Sequence, residues 1–304
     1  MIAENKYRTL GGSGIRVSPL GVGTNRWAQG KNDEAVFKVI QSLVDVGVNF
    51  FDTAEVYTRG KSERLLGACL RRDRRPVVVA SKFAPLPTRL SRRQFMNALD
   101  ASLKRLGVQT IDLYYIHFPY NLLSIEKLMD LMAQAVQAGK IRAVGVSNFN
   151  AEQMHRAATR LEHYHIPLAA NQVRYSLLHR QPEKNGVLDL CRELDVALVA
   201  YRPLERGRLK SNTVPRASSS SSPSSTADKG KAASKERILH ETLLAITQKR
   251  GKSVSQVALN WLLHRDEHVM PIPGTISQLH ALENADTLSW ELSPVEFAAI
   301  DQAS

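Results

Sequence analysis

The sequence predicts an α/β protein: a (β/α)8 TIM barrel with an N-terminal β-hairpin and extra helices at its C-terminal end. Three observations carry that prediction. Eight short apolar runs punctuate the chain, and through its middle they recur about once every 30 residues, one βα unit per period. The runs are continuously apolar rather than alternating, as in strands covered on both faces. Amphipathic helical stretches lie between them. The competing arrangement is a doubly wound sheet, but no G-x-G-x-x-G follows the first run. A chain of 304 residues suits one barrel as a single domain spanning 1–304.

Taken in order, YRTLGGSGIRV (7–17) sets Gly11 and Gly14 between two extended pieces and reads as a hairpin that plugs one end of the barrel. Strands are expected at VSPLGVGT (17–24), VNFFD (48–52), VVVASK (77–82), DLYYIHF (112–118), IRAVGVSN (141–148), LAANQVRY (168–175), VALVAYRP (196–203) and HVMPIPG (268–274). A helix is expected over 33–47, with Val36, Val39, Ile40, Leu43 and Val44 on one stripe. Another is expected over 124–139, with Ile125, Leu128, Met132, Ala135 and Val136 aligned and Gly139 ending it. One stretch breaks the period. The Ser-rich segment at 211–235 has little apolar content and reads as a mobile loop after the seventh strand, either a lid or a tolerated surface insertion.

Composition narrows the function classes. The formal net charge is +12, which permits polyanion binding. The basic residues are nevertheless scattered, as in LRRDRRP and LSRRQF, without interleaved aromatics. Solvated helix faces explain them better than a nucleic-acid surface, so no nucleic-acid partner is expected. No run approaches the roughly 18 apolar residues of a membrane span, and MIAENKYRTL has no apolar leader core. Cys69 and Cys191 sit in helical patterns without a CxxC partner. They read as buried, reduced thiols, with no metal site and a cytoplasmic setting.

Barrel enzymes carry their chemistry at the C-terminal ends of the strands. The polar residues there are Asp52, Lys82, His117, Ser147, Asn148, Asn171, Gln172 and Tyr201, with Tyr57 five residues past Asp52. Any one of them could be a structural hydrogen-bonding residue. An Asp, a Tyr, a Lys and a His on adjacent strand ends are harder to explain that way.

FFDTAEVYTRGKSERLLG, VVVASKF, DLYYIHFP, IRAVGVSNF, NQVRYSLL, AYRPLERGRL and PIPGT, in this order along essentially the whole chain, closely resemble the aldo-keto reductase superfamily. In overall style the chain is similar to the pyridoxal reductase neighbourhood. The resemblance implies reduction of an aldehyde or ketone to an alcohol with NAD(P)H, by a tetrad of Asp52, Tyr57, Lys82 and His117. The chemistry suits those residues. Tyr57 would be the general acid. A phenol ordinarily titrates near about 10, and a Lys82 cation beside it would lower that value. Asp52 would hold Lys82, and a neutral His117 would orient the carbonyl.

The resemblance also implies a nicotinamide cofactor stacked on Tyr201, its carboxamide held by Ser147, Asn148 and Gln172, with Gly23, Thr24 and Asp52 nearby. Arg202 stands where relatives usually carry Ser, while Leu204 and Gly207 keep the family pattern. In GTISQLHALEN, Gly274, Thr275, Ile276, Ser277 and His280 occupy places where many relatives carry Lys or Arg; Glu283 and Asn284 are retained and would face adenine. NADPH is the cofactor the resemblance implies, with NADH as the alternative that the missing cations suggest. The expected partner is a small carbonyl compound, apolar or aromatic in shape, in a pocket walled by Trp27, Tyr57, His117 and Phe118, with Tyr120 at the rim. A cofactor-binding regulatory protein on the same fold is the alternative function, against which the complete tetrad argues.

Overall fold

The computed structural model describes residues 2–29, 33–119, 122–210 and 226–304. Strands β1 (Arg8–Thr9) and β2 (Arg16–Val17) pair antiparallel as the expected hairpin. Eight parallel strands follow: β3 (Val22–Gly23), β4 (Phe50–Asp52), β5 (Val78–Phe83), β6 (Ile111–Ile116), β7 (Ile141–Ser147), β8 (Leu168–Arg174), β9 (Ala197–Tyr201) and β10 (Val269–Pro271). They lie in unbroken sequence order from β3 to β10. The two edges meet through the backbone: Gly21 N–H donates to Pro271 O at 3.0 Å and Gly23 N–H to Pro273 O at 3.2 Å. Pro271 and Pro273 have no N–H, so the last strand offers only carbonyls at this seam.

Helices alternate with the strands. The helix expected over 33–47 forms over Asp33–Asp45, and the one expected over 124–139 over Ile125–Gln137, with Ser124 as its N-cap, accepting from Lys127 N–H. The expected first barrel strand, 17–24, is divided: Val17 pairs in the hairpin, and the barrel strand begins at Val22. Between them Ser18 and Asn49 exchange hydrogen bonds, and Pro19 cannot continue a ladder. The loop expected over 211–235 is shorter than the sequence suggested. Residues 211–225 lie outside the described residues, but from Thr226 the chain is helical as far as Arg250. Six of the first ten positions of that helix, TADKGKAASK, are Ala or Lys, both good helix formers, and these outweighed the low apolar content that suggested a loop.

Two apolar layers form the core. One fills the space between strands and helices. The other fills the barrel, with Phe50, Ala80, Leu113, Tyr115, Ala143, Ala170, Val199 and Met270, and includes Leu10, Ile15 and Val17 of the hairpin. The hairpin therefore closes the N-terminal end of the barrel. Gly11 is required there: at φ +50° its missing side chain would lie 2.5 Å from Ala169 O. The inward positions advance in steps of two along each strand. The next inward position is therefore Asp52 after Phe50, Lys82 after Ala80, His117 after Tyr115, Gln172 after Ala170 and Tyr201 after Val199. One end of the barrel is thus apolar and plugged, and the other is polar. Cys69 and Cys191 are free and buried, and burial pushes their thiols up to about 11 and about 12. Among the described residues no helix is long and apolar enough to cross a membrane.

Candidate active site

At the polar end of the barrel, Lys82 is fully buried and Asp52 nearly so. An ammonium has three protons to donate, and each has a partner. Lys82 Nζ lies 2.5 Å from Asp52 Oδ1, 2.8 Å from Thr53 O and 3.4 Å from Tyr57 Oη. Gln172 Nε2 donates to the other carboxylate oxygen of Asp52 at 2.8 Å. Burial alone would push the Lys82 ammonium down, but Asp52 and Tyr57 outweigh it and hold the group above the ordinary lysine range. Because the Tyr57 oxygen accepts from Lys82, its own O–H remains free to donate outward.

The Tyr57 phenol departs from the sequence expectation. Burial raises it above the ordinary tyrosine range and Asp52 adds to the rise; the Lys82 cation pulls down without prevailing. The group is therefore protonated near neutrality, the state a proton donor needs. His117 packs edge-on against the Tyr57 ring at 5.9 Å and is stacked by Phe118 at 4.3 Å. Burial, reinforced by Lys82, lowers its imidazole to about 3, and its buried Nδ1 has no partner among the described residues. It is a neutral ring, as expected.

Beside this cluster a polar chain links four strand ends. Ser147 Oγ donates to Gln172 O at 2.9 Å, Asn148 Nδ2 donates to His117 O at 3.2 Å, and Tyr201 Oη donates to Asn148 Oδ1 at 2.9 Å. Asn148 itself sits in the left-handed region, at φ 62°, which Asn tolerates better than most residues. Past Tyr201 the backbone is unusual: Arg202, Glu205 and Arg206 all have positive φ. Glu205 is held by Arg174 at 2.5 Å and by Ser176 at 3.0 Å.

A profile of the aldo/keto reductase family matches residues 19–304. The chain belongs to this family. It is 33% identical to the chloroplastic pyridoxal reductase of Arabidopsis thaliana over 95% of this chain and 84% of that protein. It is 29% identical to an L-glyceraldehyde 3-phosphate reductase of Escherichia coli O157:H7, over 98% and 92%. Among solved structures, an aldo/keto reductase from Klebsiella pneumoniae in complex with NADP and acetate superposes with a TM-score of 0.78 at 27% identity, covering 98% of this chain and 94% of that one. A thermostable aldo-keto reductase in complex with the inhibitor epalrestat superposes with a TM-score of 0.81 at 30% identity, covering 98% and 99%.

For an aldo/keto reductase, some residues singled out from the sequence have unexpected surroundings. Trp27 does not wall a pocket. It is 1% exposed, its indole N–H donates to Thr275 O at 2.8 Å, and it packs on Phe51. Its large apolar ring gains more from the core than from the rim. The Thr24 hydroxyl is also enclosed, 2.7 Å from Ser62 Oγ. Phe118 is 42% exposed at the mouth, and Tyr120 lies outside the described residues. Gly23 and Gly274 face each other across the barrel seam, where a Cβ on Gly274 would stand 2.9 Å from Gly23 O. Leu204 is buried, and Gly207 has φ 101° in the turn after β9. Thr275 Oγ1 accepts from Ser277 N–H, and Ser277 caps the helix Gln278–Asp286 by accepting from His280 N–H. Glu283 is partly buried and Asn284 buried on that helix.

The sequence reading passed over several residues. Ser62 ties Thr24 to Thr53, whose carbonyl holds Lys82. Glu63 is fully buried against Ser81 and Arg105. Lys210 lies within electrostatic reach of Arg26, on another loop, and of Glu283, on the helix Gln278–Asp286. Polar residues on the buried stripe of the helix Lys61–Arg72 were the available signal for Ser62 and Glu63; nothing local marks Lys210.

Proposed function

We propose that the protein reduces an aldehyde or ketone to an alcohol, with Tyr57 as the proton donor. The observation that carries this reading is the arrangement of Lys82, whose three protons go to Asp52, Thr53 and Tyr57. That arrangement leaves a protonated phenol whose O–H has no other acceptor among the described residues. As negative charge develops on a carbonyl oxygen, the Tyr57 O–H donates to it and Lys82 stabilises the phenolate that remains. Asp52, held by Gln172, keeps the ammonium charged and in place. Neutral His117 contributes a second polar contact that orients the carbonyl and carries no charge that would compete with the proton transfer.

Residues around the strand ends fit a nicotinamide dinucleotide. The half-buried Tyr201 ring offers a stacking face, and Ser147, Asn148 and Gln172 offer amide and hydroxyl groups beside it. Arg26, Arg202 and Lys210 are exposed cations on the surrounding loops, without an ion pair among the described residues. The capped N-terminus of the helix Gln278–Asp286 adds backbone N–H groups suited to phosphate. When bound, NADPH would supply the hydride. The likeness to reductases crystallised with NADP and NADPH supports that cofactor over NADH, although the segment from Gly274 to Ser277 carries no cation. The stacked Phe118 favours planar, apolar carbonyl compounds. Initial rates with NADPH and with NADH over pyridoxal, small dicarbonyls, sugars and aromatic aldehydes test the reading. Turnover of at least one class with NADPH is expected; none with either cofactor would overturn it.

A further inference from the structure

We propose that Glu55 and Arg89 form a clamp that positions the Tyr57 hydroxyl against Lys82. The inference rests on the reading of Tyr57 as proton donor.

Glu55 lies between Asp52 and Tyr57 in sequence, and its side chain is 6% exposed. A carboxylate is costly to bury unless it is paired and hydrogen-bonded. Its hydrogen-bond partners among the described residues come from the next βα loop. Ala84 N–H donates to Glu55 Oε1 at 2.6 Å, and Arg89 Nη1 donates to the same oxygen at 2.5 Å. Arg89 Nη1 also donates to Ala84 O at 3.2 Å, and its guanidinium lies 5.4 Å from the Phe83 ring centre. Ala84 is two residues beyond Lys82. The carboxylate therefore joins the loop that carries Tyr57 to the strand end that carries Lys82.

That loop requires holding. Immediately after Tyr57, Thr58, Arg59 and Gly60 have φ of 48°, 54° and 77°. A β-branched residue and an Arg in succession in the left-handed region form an unfavourable backbone that persists only where its surroundings over-determine it. Beyond the turn, Ser62 ties the loop to Thr53 and Thr24. Before it, Glu55 is the anchor. The Lys82–Tyr57 contact, at 3.4 Å, is the longest of the three that Lys82 makes. It is the contact that slack in the loop would lengthen first.

The test compares Glu55→Ala, Glu55→Gln and Arg89→Met with the parent protein. Rates are read with NADPH and benzaldehyde, NADPH binding by fluorescence titration, and backbone amide exchange over residues 53–60. In Glu55→Ala, kcat should fall on the order of 10- to 100-fold, with KM and NADPH affinity within about threefold and faster exchange over 53–60. Glu55→Gln keeps an acceptor for Ala84 N–H and should recover to within a few-fold of the parent. Arg89→Met gives the same direction at smaller amplitude and serves if Glu55→Ala does not fold. Parental kcat with parental exchange in Glu55→Ala would overturn the clamp, as would equal losses in both Glu55 variants with KM and affinity worsened in step. If the parent reduces no carbonyl, exchange alone decides. Faster exchange in Glu55→Ala then upholds the clamp while the function reading falls, and unchanged exchange removes the clamp.

Discussion

Replacing Lys82 with Met removes a buried ammonium while keeping an unbranched side chain of similar reach. Three contacts are lost together: 2.5 Å to Asp52, 2.8 Å to Thr53 O and 3.4 Å to Tyr57. What remains is a carboxylate at 1% exposure with one donor among the described residues, Gln172. An ordinary hydrogen bond is worth about 1 kcal/mol, but removing one partner of a buried ion pair costs about 3–5 kcal/mol. The larger figure applies because the Asp52 charge cannot reach water. The unfolding temperature should fall on the order of 10 °C. The loss has a sign in pH. Burial already raises the Asp52 carboxyl, and Lys82 is its main opposing influence; without Lys82 the folded-state value rises further above the unfolded one. Such a group favours the folded state in its protonated form, at low pH, and loses that contribution as pH rises. The deficit of Lys82→Met is therefore largest near neutrality and shrinks in mild acid. Adding Asp52→Asn removes the stranded charge and should recover part of the loss. Denaturant midpoints of parent, single and double variants at about pH 7.5 and about pH 5 measure this. The reasoning is refuted by a single variant as stable as the parent near neutrality, a deficit that does not shrink in acid, or a double variant no better than the single.

Two further substitutions probe other parts of the account. His117, lowered to about 3, stays neutral while the unfolded imidazole titrates near about 6.5, so the unfolded chain binds more protons between those values and the parent loses stability as pH falls through that window. His117→Asn should remove roughly 2 kcal/mol of that loss between pH 6.5 and pH 5, read from denaturant midpoints; an unchanged slope would show that the imidazole titrates normally. A Cβ on Gly145 would stand 2.5 Å from the Tyr115 ring, and that ring lies 5.5 Å from Lys82 Nζ. Gly145→Val should cost about 1–3 kcal/mol and lower activity, and a variant with parental melting temperature and rate contradicts the packing described.

The barrel was legible because its strands are buried on both faces and therefore read as unbroken apolar runs. The grouping of Asp52, Lys82 and His117 was legible for a related reason: they are polar residues at the ends of such runs, where burial makes them conspicuous. Spacing does not reveal which oxygen each proton reaches. That Lys82 is shared with the Thr53 carbonyl, and that burial outweighs it at Tyr57, follow from three-dimensional enclosure. Trp27 was misplaced because an aromatic near a site looks the same in sequence whether it faces a pocket or the core. Glu55 had no assigned part because its partners, Ala84 and Arg89, lie about 30 residues away on another loop. The helix from Thr226 was hidden by serines that share its segment.

The central claim is that the Tyr57 hydroxyl supplies the proton in carbonyl reduction. It is tested most directly by initial rates of NADPH oxidation with an aromatic aldehyde, parent against Tyr57→Phe, with NADPH binding to both titrated alongside. Loss of general acid catalysis should lower kcat by about 10²- to 10⁴-fold while cofactor affinity stays within a few-fold, because the hydroxyl removed is bonded to Lys82 and the ring that remains packs against His117. A Tyr57→Phe protein that turns over at the parent rate would contradict the account.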